Sequence, residues 1–203
     1  KLEVLIVNDG TKDNSVEVAQ KFVDRYPNTF KIINKENGGH GSAINTGVEN
    51  VTGKYFKCVD ADDWVHPDML KVLHDRMAED DYDVVQCGVS CFKEAVPSVS
   101  AINDHEIQKL DLNNVDNRKN LIISLTGFTN VTAWAKLYSV RFIRENKLRF
   151  MEDIYYEDTY FSMLCVLIAK KYCKVRPTLY YYFENTDGII RSGISNAKIR
   201  DPK

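Results

Sequence analysis

The chain has 203 residues, 44% of them hydrophobic, and a formal net charge of -2, which suits one domain with a substantial core. The charge balance holds no basic excess, which argues against nucleic-acid binding. No stretch approaches the roughly 20 apolar residues of a membrane span, and the longest apolar segment, Phe161 to Ala169, is interrupted by Ser162 and reads as a buried helix.

The chain enters an apolar run directly after Lys1, with no initiator Met and no secretory or targeting segment, and so reads as a fragment or a trimmed chain. Leu2 to Val7 is apolar and rich in β-branched residues, and Asn8-Asp9-Gly10 follows, which is how a buried strand runs into a turn. Asn14 with Glu17 forms a capping box, and Val16, Ala19, Phe22, Val23 and Tyr26 keep helical spacing up to Pro27. Phe30 to Ile33 predicts a second strand, Gly38 to Gly41 a glycine-rich turn, and Ser42 to about Val51 a short helix. Lys54 to Val59 predicts a third strand that delivers Asp60-Ala61-Asp62-Asp63. Pro67 suits the first turn of a helix striped by Leu70, Leu73 and Met77, and Asp83 to Phe92 predicts a further strand. This alternation predicts a mostly parallel α/β sheet flanked by crossover helices, with ligands at the carboxyl ends of its strands. Asn8, Asp9, Asp60 and Asp62 fall on that edge.

The second half is less regular. Lys93 to Asn120 is polar and reads as a loop or peripheral elements, and Arg118 to Leu125 as a helix. Ser139 to Asn146 predicts a short helix, Glu157 to Lys170 a longer one, and Tyr172 to Val175 and Leu179 to Phe183 two β-like stretches. The five cysteines, Cys58, Cys87, Cys91, Cys165 and Cys173, form no CxxC pair and read as reduced core residues of a cytosolic protein.

Three segments carry chemistry. Asp60-Ala61-Asp62 at a strand end places two carboxylates on one face, where they repel unless a hard cation such as Mg²⁺ joins them with substrate phosphates. An isolated DxD is more often a solvated acidic turn. Trp64 and Val65 stand where an EF-hand loop needs an acidic residue and Gly, so that chemistry is excluded. A phosphohydrolase with Asp60 as nucleophile is a distant competitor. Asn37-Gly38-Gly39-His40-Gly41-Ser42 precedes a helix, and the amides of Gly38 and Gly39 suit an anion. His40 has no partner at ligand spacing and reads as a turn or substrate-edge residue. Glu157 and Asp158 open an apolar helix, where the helix dipole favours acidic residues and keeps Asp158 ionised, as a base must be.

Taken in order, these segments resemble family 2 glycosyltransferases. Val7-Asn8-Asp9-Gly10-Thr11-Lys12-Asp13-Asn14-Ser15 is similar to the family's VDDGSTDNS segment, and Asn37 to Gly47 to its NxGxSxARNxG segment. Gly53-Lys54-Tyr55-Phe56 through Asp60-Ala61-Asp62-Asp63-Trp64 resembles the stretch that ends D-x-DDW. Trp134-Ala135-Lys136-Leu137-Tyr138, Tyr156-Glu157-Asp158 and Tyr180-Tyr181-Tyr182 match in order and rough spacing. The resemblance implies a GT-A fold, a Rossmann-like sheet with a smaller C-terminal acceptor-side region. Residues 1–92 would be the nucleotide-sugar half and residues 93–203 the acceptor-side remainder of the same domain.

It further implies inverting transfer of a sugar from a nucleoside-diphosphate sugar to an acceptor hydroxyl, in polysaccharide or glycoconjugate synthesis. The family's habits point to a UDP-sugar donor and a glycan or lipid-linked acceptor, at the cytoplasmic face of the membrane without spanning it. Asn8 and Asp9 would lie near the base, Asp60 against the ribose or sugar, and Asp62 on Mn²⁺ or Mg²⁺ at the diphosphate. Asp158 would be the general base, supported by Glu157, and Trp134 is placed on the acceptor side against an equally ordinary role in the core. Three departures stand out. Asn8 replaces the family's first Asp, Ile44 replaces its Arg, and its first strand and VPxYN segment have no counterpart from Lys1 onward, so a gap is expected beside the Leu2 to Val7 strand. These departures favour a binding module without turnover; Asp60, Asp62 and Asp158 oppose it.

Overall fold

The computed structural model describes residues 1–94, 107–124 and 132–184. The elements there are β1 (Val4–Asn8), α1 (Ser15–Arg25), β2 (Phe30–Asn34), α2 (Gly39–Asn50), β3 (Tyr55–Phe56) and β4 (Trp64–Val65). They continue with α3 (Met69–Asp80), β5 (Val84–Phe92), β6 (Ile107–Asp111), α4 (Val115–Ser124), β7 (Lys136–Ser139), α5 (Val140–Glu145), α6 (Glu157–Ile168) and β8 (Lys171–Phe183).

β1 and β2 run parallel in register from Val4 opposite Phe30 to Asn8 opposite Asn34, joined by α1 as a βαβ unit. α1 meets β2 through Phe22 and the residue that caps its C-terminus, Tyr26, whose rings lie 5.7 and 6.1 Å from that of Phe30. The other strands form one sheet in the order β3-β7-β5-β8-β4, with β6 also on β8. No ladder joins β1 to that sheet among the described residues, a separation of the kind the resemblance implies.

The six-stranded sheet is mixed. β5 and β8 are parallel, whereas β3–β7, β5–β7, β4–β8 and β6–β8 are antiparallel, so the expectation of a mostly parallel sheet is corrected. The period of two divides two cores between its faces. Val84, Tyr138 and Tyr172, side by side across three strands, join Phe142, Ile143, Phe161 and Cys165 of α5 and α6. Their chain neighbours Val85, Leu137 and Cys173 face Met69, Leu73 and Met77 of α3.

Several local expectations are corrected too. The strand read over Lys54 to Val59 shrinks to β3, and residues 60–63 form a turn closed by Asp63 N–H to the Asp60 carbonyl. Asn14 makes no side-chain cap; Asp13 Oδ1 instead accepts from Ser15 N–H at 2.9 Å. Of the two readings of the polar stretch, loop or peripheral elements, the second holds: it contains β6 and α4, the helix read from Arg118 starting at Val115 and capped by Asn114 through the Asp116 and Asn117 amides. Leu125 and the rest of that stretch, residues 95–106, lie outside the described residues. The two β-like stretches at the end are one strand, because Pro177, which cannot donate to a ladder, sits at a bulge opposite Gly88. Cys87, Cys165 and Cys173 are buried, but Cys58 is half-buried and Cys91 exposed, so the all-core reading holds for three of them.

Candidate active site

β1 ends at Asn8, and both ends of that side chain are used: Nδ2 donates to Asn34 Oδ1 and Oδ1 accepts from Thr11 N–H, each at 2.9 Å. Asp9 turns toward the glycine-rich segment. Its Oδ1 accepts from Lys35 Nζ at 2.6 Å and from Gly38 N–H at 3.0 Å, and its Oδ2 from Gly39 N–H at 2.8 Å. Burial pushes this carboxyl up, but Lys35 and the amides outweigh it and hold it below its ordinary range. The anion cradle read from Gly38 and Gly39 thus exists, and the chain's own Asp9 fills it. Gly39 at φ 80° adopts the left-handed backbone that brings its amide there.

The acidic turn has an inner and an outer side. Asp63 points inward, where Oδ2 accepts from Tyr180 Oη at 2.6 Å and Oδ1 from Phe183 N–H at 2.9 Å. Burial raises its pKa to about 6. Tyr180 Oη also accepts from Asp60 N–H at 3.1 Å, so one hydroxyl on β8 fixes two points of the turn. Below it, Tyr180 stacks on Trp134 at 4.4 Å, and Lys57 Nζ lies 4.9 Å from the Tyr180 ring centre. Trp134 is 4% exposed and also stacks on Tyr182 at 5.3 Å, which gives it the core role rather than a face open to an acceptor. Asp62 is exposed and takes no hydrogen bond or ion pair from any described residue.

The first turn of α2 and the head of α6 meet at His40. Its Nδ1 pairs with Glu157 Oε1, and its Nε2 lies 3.3 Å from Asp60 Oδ1. Hydrogen bonding to Asp60 and then to Glu157 raises the imidazole pKa to about 10, against burial. Burial pushes Glu157 up, yet the His40 contact outweighs it and leaves that carboxyl below its usual range. Asp158 has no such partner. Burial first and the Glu157 charge second raise its pKa, and its Oδ1 accepts from Thr159 N–H at 2.8 Å. The structure therefore brings Asp60, Glu157 and Asp158 together around His40, with Asn8 and Asp9 beside the glycine-rich segment.

Among the described residues, no group of three or more His, Cys, Asp and Glu side chains is placed to hold a metal ion by itself. An unpartnered Asp62 fits a cation that takes one carboxylate and completes its shell from substrate phosphates and water. Two concavities among the described residues lie elsewhere, one lined by Asn45, Glu49, Arg144 and Arg149, the other by Gln108, Asn117 and Lys174. Sequence reasoning missed the tie from Tyr180 to Asp63, the salt bridge from Lys35 to Asp9, and the pairing of His40. All three join residues remote in sequence, so spacing gave no signal for them.

The family profile described as glycosyl transferase family 2 matches residues 1–145. The chain belongs to that family. Its relatives include the uncharacterized glycosyltransferase YibD of Escherichia coli (strain K12), 32% identical over 91% of this family 2 chain and 54% of YibD. The putative glycosyltransferase EpsH of Bacillus subtilis (strain 168) is 30% identical over 94% of the chain and 54% of its own length. The chain thus spans about half the length of these curated relatives. Among solved structures, S. aureus TarS 1-349 in complex with UDP-GlcNAc superposes with a TM-score of 0.71 at 22% identity, covering 94% of the chain and 51% of TarS. The mannosyltransferase PcManGT from Pyrobaculum calidifontis, in complex with GDP-Man and Mn²⁺, gives 0.57 at 17% identity over 100% of the chain and 56% of PcManGT. These likenesses establish the GT-A fold for the family 2 chain. No described helix is long and apolar enough to cross a membrane.

Proposed function

We propose that this chain is the donor-site core of an enzyme that moves a sugar from a nucleoside-diphosphate sugar to an acceptor hydroxyl with inversion. One observation carries the reading: His40 joins Asp60 of the acidic turn to Glu157 at the head of α6, which sets the half-buried Asp158 carboxyl beside the acidic turn. Asp158 is the general base. It takes the hydroxyl proton as that oxygen bonds to the anomeric carbon, and the bond from that carbon to the diphosphate oxygen breaks on the opposite face. Glu157, held ionised by His40, keeps Asp158 from losing its proton affinity. Asp60 orients the ribose or sugar, with Asn8 and Asp9 shaping the base side through the glycine-rich segment and its Gly38 and Gly39 amides. Asp62 would hold Mn²⁺ or Mg²⁺, which supplies charge stabilisation for the leaving diphosphate when bound.

In this reading residues 1–92 form the donor half and residues 93–203 the acceptor side. The UDP-GlcNAc complex of TarS supports a UDP-sugar as the first donor to try. A glycan or lipid-linked acceptor at the cytoplasmic membrane face, in polysaccharide or glycoconjugate synthesis, is the matching context. Calorimetric titration of UDP with and without Mn²⁺, on the wild type and on Asp62→Ala, tests the donor site. Metal-dependent binding that Asp62→Ala abolishes is the expected result, and metal-independent binding that survives the substitution overturns the metal assignment.

A further inference from the structure

His40 takes no part in the bond changes just described, yet its imidazole joins the two halves of the site. The helix beneath it is fixed to the segment that leads into α6. A Cβ on Gly41 would lie 2.2 Å from the Met151 carbonyl oxygen and 3.3 Å from Glu157 Cγ, so only glycine allows this approach. One turn on, Asn45 Nδ2 donates to the Phe150 carbonyl at 2.9 Å and to Glu152 Oε1 at 2.8 Å, and Asn45 Oδ1 accepts from Phe150 N–H at 2.9 Å. Gly41, Ile44 and Asn45 are the buried face of α2, and His40 adjoins it at the first turn. The ring is thereby held with one nitrogen on Glu157 of α6 and the other on Asp60 of the acidic turn. The acidic groups facing it are Asp60, Glu157 and Asp158, and the first turn of its own helix adds none.

We propose that His40 is a positioning residue, a two-ended clasp that holds the Asp60 carboxylate at a fixed place relative to the head of α6, so that the nucleotide meets Asp60 already oriented. This rests on the donor-site reading above. An imidazole suits the task because its two N–H groups point in opposed directions and reach two acceptors at once. Side-chain geometry separates the two ends. A glutamine places its amide nitrogen near the position of Nε2 and retains the Asp60 contact, whereas an asparagine places it near Nδ1 and retains the Glu157 contact.

The test titrates UDP and GDP, each with Mn²⁺, into the wild type, His40→Gln, His40→Asn and His40→Ala, and follows each protein's urea midpoint in parallel. The clasp predicts that His40→Gln keeps nucleotide affinity within about threefold of wild type, while His40→Asn and His40→Ala lose about tenfold or more, the scale of one hydrogen bond to a charged group. Should His40→Ala fail to fold, the contrast between Gln and Asn carries the result. Unchanged affinity in every variant overturns the proposal. So does an equal loss in His40→Gln and His40→Asn that follows their stability, because a merely structural histidine would behave that way. A wild type that binds neither nucleotide refutes the donor-site reading itself, and the clasp falls with it.

Discussion

Glu157 and Asp158 are neighbours in the chain and opposites in chemistry, and the difference comes from one side chain 117 positions away from Glu157. His40 donates to Glu157 and stabilises its charge; Asp158, buried beside that charge, has its pKa raised and binds a proton more readily than an exposed aspartate. Asp158→Asn should therefore lower sugar transfer by about a hundredfold to ten-thousandfold, the ordinary weight of a general base, with UDP binding intact by calorimetry. The acid limb of the rate profile should sit above the ordinary aspartate value of 3.8. The His40 shift gives a second pH signature. Its pKa rises on folding from 6.5 to about 10, so its stabilisation is complete below the lower value and disappears as pH climbs through the upper one. The urea-midpoint difference between wild type and His40→Ala should accordingly shrink from pH 6 to pH 10. A difference that stays constant would show an imidazole without charge in the clasp. None of this was legible from spacing: the sequence shows Glu157-Asp158 as a helix start and His40 as a turn residue, since pairing across the fold leaves no local mark.

Elements were read better where their cause is local. β1, α1, β2 and α2 follow from an apolar run, a helical stripe ended by Pro27, a second run and a glycine-rich turn, and the structure has them in that order. β6 was missed and α4 was read to start three residues late, at Arg118, because an edge strand and a surface helix are polar, and the partners that order them, β8 and α6, lie far along the chain. The acidic turn was read as a strand end because its anchor is remote, the Tyr180 hydroxyl on β8. Tyr180→Phe leaves the inward Asp63 carboxylate and the Asp60 amide without that partner, and should cost about 1–3 kcal/mol in urea unfolding, as for other buried polar groups stripped of a bond. Gly41→Ala tests the second joint. Its Cβ would meet a backbone oxygen at 2.2 Å, against 3.6 Å for the nearest atom at Gly53, so Gly41→Ala should lose about 1–3 kcal/mol by overpacking while Gly53→Ala stays near wild type.

At the scale of the whole molecule, the candidate site draws on two sheets of unequal support. β5 lies between β7 and β8, and Val84 and Val85 are 0% exposed with a core on either face. Among the described residues β1 has one ladder partner, its five residues are half-buried, and it is held to the rest by α2 and by Glu3, whose carboxylate accepts from Thr52 N–H at 2.9 Å. A two-stranded ladder is marginal without such help, and opening it exposes little of the apolar area that makes global unfolding costly. Native-state hydrogen exchange should therefore find β1 amides exchanging through local opening at least about tenfold faster than those of Val84 and Val85, whose exchange requires global unfolding. Because Asp9 follows β1 and fills the Gly38 and Gly39 amides, the same opening would release the glycine-rich segment. A ligand that orders the segment should slow exchange in β1 and leave β5 unchanged. Equal protection of the two strands in the free protein would instead make β1 part of the main cooperative unit, and the Asp9 contact as permanent as the core.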